Sequence, residues 1–176
     1  DGDTDLDVLI TGSGSSGKIS KLYTNDGLGN FTEMPNTTFV GVFRSSIAFA
    51  DVDGDTDLDV LITGEIGIDS AGHSIGISKL YANDGQGNYS EMINTTFSGI
   101  SDGSVAFADV DSDLDLDVLI TGRVNPFTPI SKLYTNDGGG NFTEMIGTPF
   151  EGVGESAITF ADIDGDFDKD VLITGN

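Results

Sequence analysis

Aspartate at every second position is where this chain carries its chemistry. Residues 50–64 read ADVDGDTDLDVLITG, placing Asp51, Asp53, Asp55, Asp57 and Asp59 directly before an apolar run. The pattern returns as Asp109, Asp111, Asp113, Asp115 and Asp117, then as Asp162, Asp164, Asp166, Asp168 and Asp170. The chain opens on a shorter version, Asp1, Asp3, Asp5 and Asp7. Two carboxylates about 4 Å apart repel by about 4 kcal/mol at an effective dielectric near 20, so such a cluster opposes folding unless a cation joins it. Calcium is the natural candidate, because it takes about six to eight hard oxygen ligands and carboxylates on alternate residues of a tight loop can converge on it. The acidity is local: 19 of the 30 acidic residues lie in these four clusters, and the other 11 nearly balance the 7 bases. Four calcium ions would move the formal charge from -23 to -15.

The charge excludes a nucleic-acid partner, since a polyanion would be repelled. Disorder is excluded too, because 37% of the 176 residues are hydrophobic and fall in patterned runs. No cysteine is present, so neither disulfides nor thiolate chemistry enter. The apolar runs are too short to span a bilayer as helices, and no leader is visible before Asp1; an export signal is expected to have been removed or to lie outside these residues.

The acidic phrases belong to repeats. ISKLYTNDGLGNFTEM (residues 19–34) returns as ISKLYANDGQGNYSEM (77–92) and ISKLYTNDGGGNFTEM (130–145). From the last Asp of one cluster to the next is 52, 58 and 53 residues. Only one connection varies, spanning residues 13–19, 65–77 and 123–130, and it is expected to be a free loop. The units fall at about 1–44, 45–102, 103–155 and a partial 156–176, all within one repeat domain.

Each period reads as four short strands and no helix. Ile47 and Phe49 alternate with Ala48 and Ala50, giving a first strand with one bulky and one small face. LDVLITG is apolar on both faces and suits a central strand covered on both sides. SKLYTND and NFTEM then alternate around NDGLGN, whose glycines supply the positive φ of a tight hairpin. Small antiparallel sheets repeated every 50–60 residues predict an all-β fold: a β-propeller segment of four-stranded blades, about three plus an extra strand, with a whole ring needing about four to eight.

These phrases resemble the calcium-binding core of FG-GAP and VCBS repeats, the blades of integrin-α-like propellers and of many secreted bacterial proteins. The resemblance implies a cation in the loop between the first two strands of each blade, held by side chains at loop positions one, three, five and nine and by the carbonyl at seven. It thereby assigns Asp51, Asp53, Asp55 and Asp59 with the carbonyl of Asp57; Asp109, Asp111, Asp113 and Asp117 with Asp115; and Asp162, Asp164, Asp166 and Asp170 with Asp168. Asp1, Asp3, Asp5 and Asp7 match positions three to nine, so the opening site lacks its first ligand. Position six, usually Gly in the family, is Thr4, Thr56, Leu114 and Phe167, and the turn is expected to differ there, since bulky residues resist positive φ. The ending LITG in place of Gly-Ala-Pro brings the chain nearer to VCBS-type repeats.

A calcium-binding module that is secreted or at the cell surface, and not an enzyme, is the expected function. Its partner is expected to be a protein or glycan, and the chain to be a homo-oligomer or part of a larger propeller; it is not expected to insert in a membrane. The alternatives are a self-assembling structural module or an accessory domain of a secreted hydrolase. Ligand contacts are expected on the face away from the acidic loops, at Phe43, Arg44, Asp102 and Glu155 in the links between blades and at Arg123 in the variable loop, where near-identical repeats differ. His73, the lone histidine, reads as an exposed loop residue, and Glu33, Glu91 and Glu144, each a blade apart, as structural. The sequons at Asn30, Asn36, Asn88, Asn94 and Asn141 sit mostly in turn phrases where Asn is favoured by backbone chemistry.

Overall fold

The computed structural model describes residues 3–176. Their secondary structure is entirely β, in 13 strands: β1 (Val8–Gly14), β2 (Gly17–Asn25), β3 (Phe31–Glu33), β4 (Phe43–Ala50), β5 (Asp59–Ile68), β6 (Ser74–Asn83), β7 (Tyr89–Glu91), β8 (Ser101–Ala108), β9 (Asp117–Asn125), β10 (Thr128–Asn136), β11 (Phe142–Glu144), β12 (Ala157–Ala161) and β13 (Asp170–Thr174). Consecutive strands pair antiparallel into sheets β1-β2-β3, β4-β5-β6-β7, β8-β9-β10-β11 and β12-β13. Two complete four-stranded blades are flanked by one sheet of three strands and one of two. No helix of the described residues is long and apolar enough to cross a membrane.

The repeated Val-Leu-Ile run decides how the sheets stack. Side chains alternate across a strand, so in β5 Val60 and Ile62 point one way and Leu61 the other. Val60, Ile62 and Tyr81 pack with Leu22, Phe39 and Val42, joining the first sheet to the second. Leu61, Leu80, Ala50 and Val52 pack with Val105, Val118, Ile120, Tyr134 and Phe142, joining the second to the third. The small face of the first strand serves this packing, with Ala48 against the second cluster and Ile47 against the first. The links after the first and second sheets each drop an aromatic ring onto the next sheet: Phe39 meets Tyr81 edge-on and Phe97 meets Tyr134 likewise, both with centroids 5.0 Å apart. Cross-strand ion pairs Lys21–Glu33, Lys79–Glu91 and Lys132–Glu144 occupy the same place in each repeat, so the three glutamates are separated as expected.

Two local expectations are corrected. Most of residues 65–77 is strand rather than loop: Glu65 pairs with Gly76, Gly67 with Ile75 and Ile68 with Ser74. Only the turn from Asp69 to His73 is irregular, closed by the His73 carbonyl accepting from the Asp69 amide at 2.8 Å. Phe43 and Arg44 likewise begin β4 instead of lying in the link, at a bulge where the register shifts and Arg44 takes φ 51°.

Leu61 and Leu172 hold the same place in their repeats, yet Leu61 is fully buried and Leu172 is 56% exposed. Leu61→Ala should therefore lower unfolding stability by about 2–5 kcal/mol, while Leu172→Ala should stay within about 0.5 kcal/mol of the parent. Urea denaturation of the two variants checks this.

Candidate metal centre

Each acidic loop is built by its own carboxylates bonding its own backbone. Asp51 accepts from the amides of Gly54 (2.9 Å) and Thr56 (3.0 Å), Asp53 from Asp55 (3.4 Å) and Asp55 from Asp57 (2.9 Å). Asp109 does the same for Ser112 (2.7 Å) and Leu114 (3.1 Å), and Asp162 for Gly165 (2.7 Å) and Phe167 (3.1 Å). Position six is left-handed in every loop whatever its side chain, Thr4, Thr56, Leu114 and Phe167 having φ of 76–78°; in the last three its amide donates to the first aspartate of the loop. The expectation that the turn would differ is thus overturned. The bulky groups are tolerated because they point outward, Leu114 and Phe167 being almost wholly exposed.

The last aspartate of each loop anchors it to the sheet. Asp59, the first residue of β5, is buried and accepts from Val52 N (3.0 Å) and Asn83 N (2.9 Å). Asp117 repeats this with Val110 N (3.0 Å) and Asn136 N (2.9 Å). In the opening loop Asp7 accepts from Asn25 N (2.9 Å) and Asp3 from Asp5 N (2.9 Å). Asp1 lies outside the described residues.

Carboxylate oxygens of Asp51, Asp53 and Asp59 all lie within 4.8 Å of one another, as do those of Asp109, Asp111 and Asp117, and of Asp162, Asp164 and Asp170. Asp55, Asp113 and Asp166 are not in these triads; their side chains accept from the amides of Asp57, Asp115 and Asp168. Asp57 turns away, and a Cβ on Gly85 would collide with its carboxylate; Asp5 stands the same way against Gly27 and Asp115 against Gly138. The acidic loop and the NDG hairpin therefore share one face, and the hairpin needs glycine there, with φ 72° at Gly85.

Burial shifts three carboxyls of the first two triads upward. Burial raises the carboxyls of Asp59 and Asp117 above the usual carboxylate range, against the lowering effect of their two amide donors. Burial, then the neighbouring charge of Asp55, raises Asp53. Burial, followed by the charges of Asp59 and Asp7, pushes the Tyr89 phenol up to about 12. Three converging carboxylates supply only hard oxygen donors, a set that fits a hard divalent cation.

The sequence missed two supports. Asn136 donates through its amide to the Val52 carbonyl at 2.8 Å, tying the third sheet to the acidic loop of the second. Asp26, Asp84 and Asp137 organise the hairpins, and their partners Asn30, Asn88 and Asn141 spend their side-chain amides on them. The repeated NDG phrase was the available signal. His73 is exposed and lies 3.4 Å from Asp69.

The other face holds the residues expected to meet a ligand. Phe43 has Lys18 Nζ 5.1 Å and the Arg44 guanidinium 5.3 Å from its ring centroid. Arg44 pairs with Asp102 (3.4 Å) and buried Glu65 (3.5 Å), and the Asp102 carbonyl accepts from Glu155 N (2.6 Å). Arg123 sits apart, donating to Asn176 Oδ1 at 2.7 Å.

Repeated four-stranded antiparallel blades with acidic first loops define a propeller-type repeat module. Residues 1–62 match the family of FG-GAP-like repeats, and the phrases of that segment recur to the end of the chain. Neither the curated proteins nor the solved structures contain a match.

The hairpin carboxyls of Asp26, Asp84 and Asp137 lie below the ordinary 3.8; for Asp84 the Asn88 amide is the largest cause, followed by the Gln86 backbone amide. A depressed carboxylate stabilises fully above its unfolded value, and the contribution is lost as pH falls through the folded value. Asn88→Ala should therefore raise the Asp84 midpoint toward 3.8 in a carboxyl NMR titration, leaving Asp26 unmoved.

Proposed function

We propose that this chain is a calcium-binding propeller-type recognition module acting outside the cell or at its surface, with a protein or glycan as ligand and no catalytic activity of its own. The observation that carries it is the recurrence of one carboxylate triad at the same place in successive sheets. Calcium suits the triads better than magnesium. It accepts flexible coordination by many oxygens, including carbonyls and mixed carboxylates, whereas magnesium demands a near-ideal octahedron and keeps its waters. Asp51, Asp53 and Asp59, and their counterparts, would hold the ion, and its charge would offset the repulsion that burial intensifies. Millimolar calcium outside cells matches sites of modest affinity, which supports the localisation.

The face away from the acidic loops is the proposed ligand surface. In a chain of net charge -23 it gathers Lys18 and Arg44 near the Phe43 ring. Such a group can stack on a sugar or a side chain while attracting an anionic substituent.

Calcium should raise the melting temperature by many degrees over EDTA, since a native-state ligand at a hundred times its Kd contributes about 2.7 kcal/mol per site. Asp53→Ala and Asp111→Ala should each remove part of that gain in differential scanning fluorimetry; equal melts with and without calcium would sink the calcium reading. For the ligand face, glycan arrays and matrix-protein panels should yield binding that Phe43→Ala with Arg44→Ala abolishes and Gln86→Ala, on the hairpin face, leaves intact. The reverse pattern would place the ligand on the wrong side.

A further inference from the structure

Asn136 touches two acidic loops at once. Its backbone amide donates to Asp117 Oδ1 at 2.9 Å, in the triad of the third sheet. Its side-chain amide donates at 2.8 Å to the carbonyl of Val52, which stands between Asp51 and Asp53 of the second triad. We propose that Asn136 is a positioning residue shared by both loops, through which cation binding at one raises the affinity of the other. The inference rests on the calcium reading and adds to it that these two sites act as a coupled pair.

The connection is a continuous line of hydrogen bonds. The Val52 amide donates to Asp59 Oδ2 at 3.0 Å, the Val52 carbonyl accepts from Asn136 Nδ2, and Asn136 N donates to Asp117. Two residues therefore join a carboxylate of one triad to a carboxylate of the next. Asp59, Val52, Asn136 and Asp117 are all buried, so water does not compete for these bonds, and a low local dielectric strengthens them. At both ends of the line the acceptor is an ionised carboxylate, which makes the stronger kind of bond.

The Asn136 side chain is divided between the loops. A second carbonyl, that of Leu116 in the third loop, lies 3.4 Å from the same Nδ2. The counterpart Asn83 uses its side-chain oxygen to accept from the Gly85 amide at 3.3 Å. Buried Asn136 Oδ1 has no hydrogen-bond partner among the described residues. A buried acceptor left unpaired is unfavourable, so Asn136 gives up a bond within its own hairpin while its donors bridge the two loops.

The hairpin after Asn136 is wedged into the same gap. A Cβ added at Gly140 would collide with Met92 and come 3.8 Å from the Asp53 side chain, and one at Gly54 would come 3.8 Å from the Gly138 carbonyl. Towards its own loop, a Cβ at Gly138 would collide with the Asp115 carboxylate. The hairpin is thus in close contact with the second loop and the third together.

The direction of the coupling follows from this placement. Holding Asp51, Asp53 and Asp59 together fixes the Val52 peptide, which fixes Asn136 and with it the donor that orients Asp117. Groups ordered by the first binding event need no further ordering at the second, which gives positive coupling. Coupling is reciprocal, so each site must raise the affinity of the other by the same factor.

Calcium titration of the 176-residue chain followed by amide NMR resolves the two sites. Thr56 and Leu114 N–H are the reporters, because they donate to Asp51 and Asp109. Asp111→Asn should lower the calcium affinity of the second loop, and Asp53→Asn that of the third, by one common factor of about fivefold or more. Asn136→Leu, which lacks the bridging donor at similar size, should abolish that factor when both substitutions are repeated in its background. A lowered affinity at both sites with the factor intact would mean that Asn136 supports the fold alone, and would overturn the proposal. Asn136→Ala gives the same readout where leucine is not accommodated. The first comparison leaves Asn136 untouched, so independent sites in that comparison overturn the coupling whatever the variants do. Shifts at neither reporter would overturn the calcium reading and this inference with it; shifts at both without a common factor overturn the inference alone.

Discussion

Repulsion among carboxylates is the constraint around which each repeat is arranged. Five aspartates within nine residues would drive an unsupported loop apart, and the chain counters this before any ion is considered. Asp51 closes the turn by accepting two amides of its own loop, and Asp59 binds one amide of the loop and one of the neighbouring strand. Hydrogen bonds to ionised acceptors are worth about twice neutral ones, so the backbone donors hold the carboxylates close while partly neutralising them. Burial, with a smaller contribution from neighbouring aspartates, still raises the carboxyls of Asp53 and Asp59. A loop held in that state is preorganised for a cation, because the cost of bringing the charges together is met largely by folding.

The same anchoring links the loops to the packing. Asp59 and Asp117 begin the strands whose Val, Leu and Ile are buried on both faces, so the acidic loop and the hydrophobic core are consecutive in sequence and rigidly joined. Neighbouring sheets reinforce the joint. Asn136 reaches from the third sheet to the Val52 carbonyl in the loop of the second, and Gly140 lies against Asp53 and Met92. Stacking between sheets and the geometry of each triad are therefore coupled: moving one sheet against the next would displace a loop that holds three carboxylates.

Much of this was legible in the sequence. The repeat, the strand order within it, the hairpin turns and the aspartates concerned are all written locally, in alternation and in Asp-Gly chemistry. Local rules failed where the structure overrides or extends them. Thr4, Thr56, Leu114 and Phe167 take a left-handed conformation that costs an L-residue about 1–2 kcal/mol, which their side chains alone argue against. Residues 65–77 read as a loop because this connection alone varies in length between repeats, although Ile66, Ile68, Ile75 and Ile77 keep the spacing of a strand. The Asn136–Val52 contact joins residues 84 apart, beyond any local pattern.

Charge is distributed unevenly over the two faces of the blades. Asp59 with its triad and Asp84 with its hairpin crowd one face with carboxylates, which an ion can neutralise but which repel anionic partners. Three of the seven basic residues are spent at fixed positions in the sheets, on Glu33, Glu91 and Glu144. Lys18 and Arg44 gather on the opposite face around Phe43, at a bulge in β4 where the backbone departs from regular pairing. Bulges re-aim side chains without disturbing the sheet that carries them. Blades so similar in sequence thus keep the same acidic loop at one end of the sheet, where Asp59 and Asp117 begin buried strands, while the residues at the other end differ.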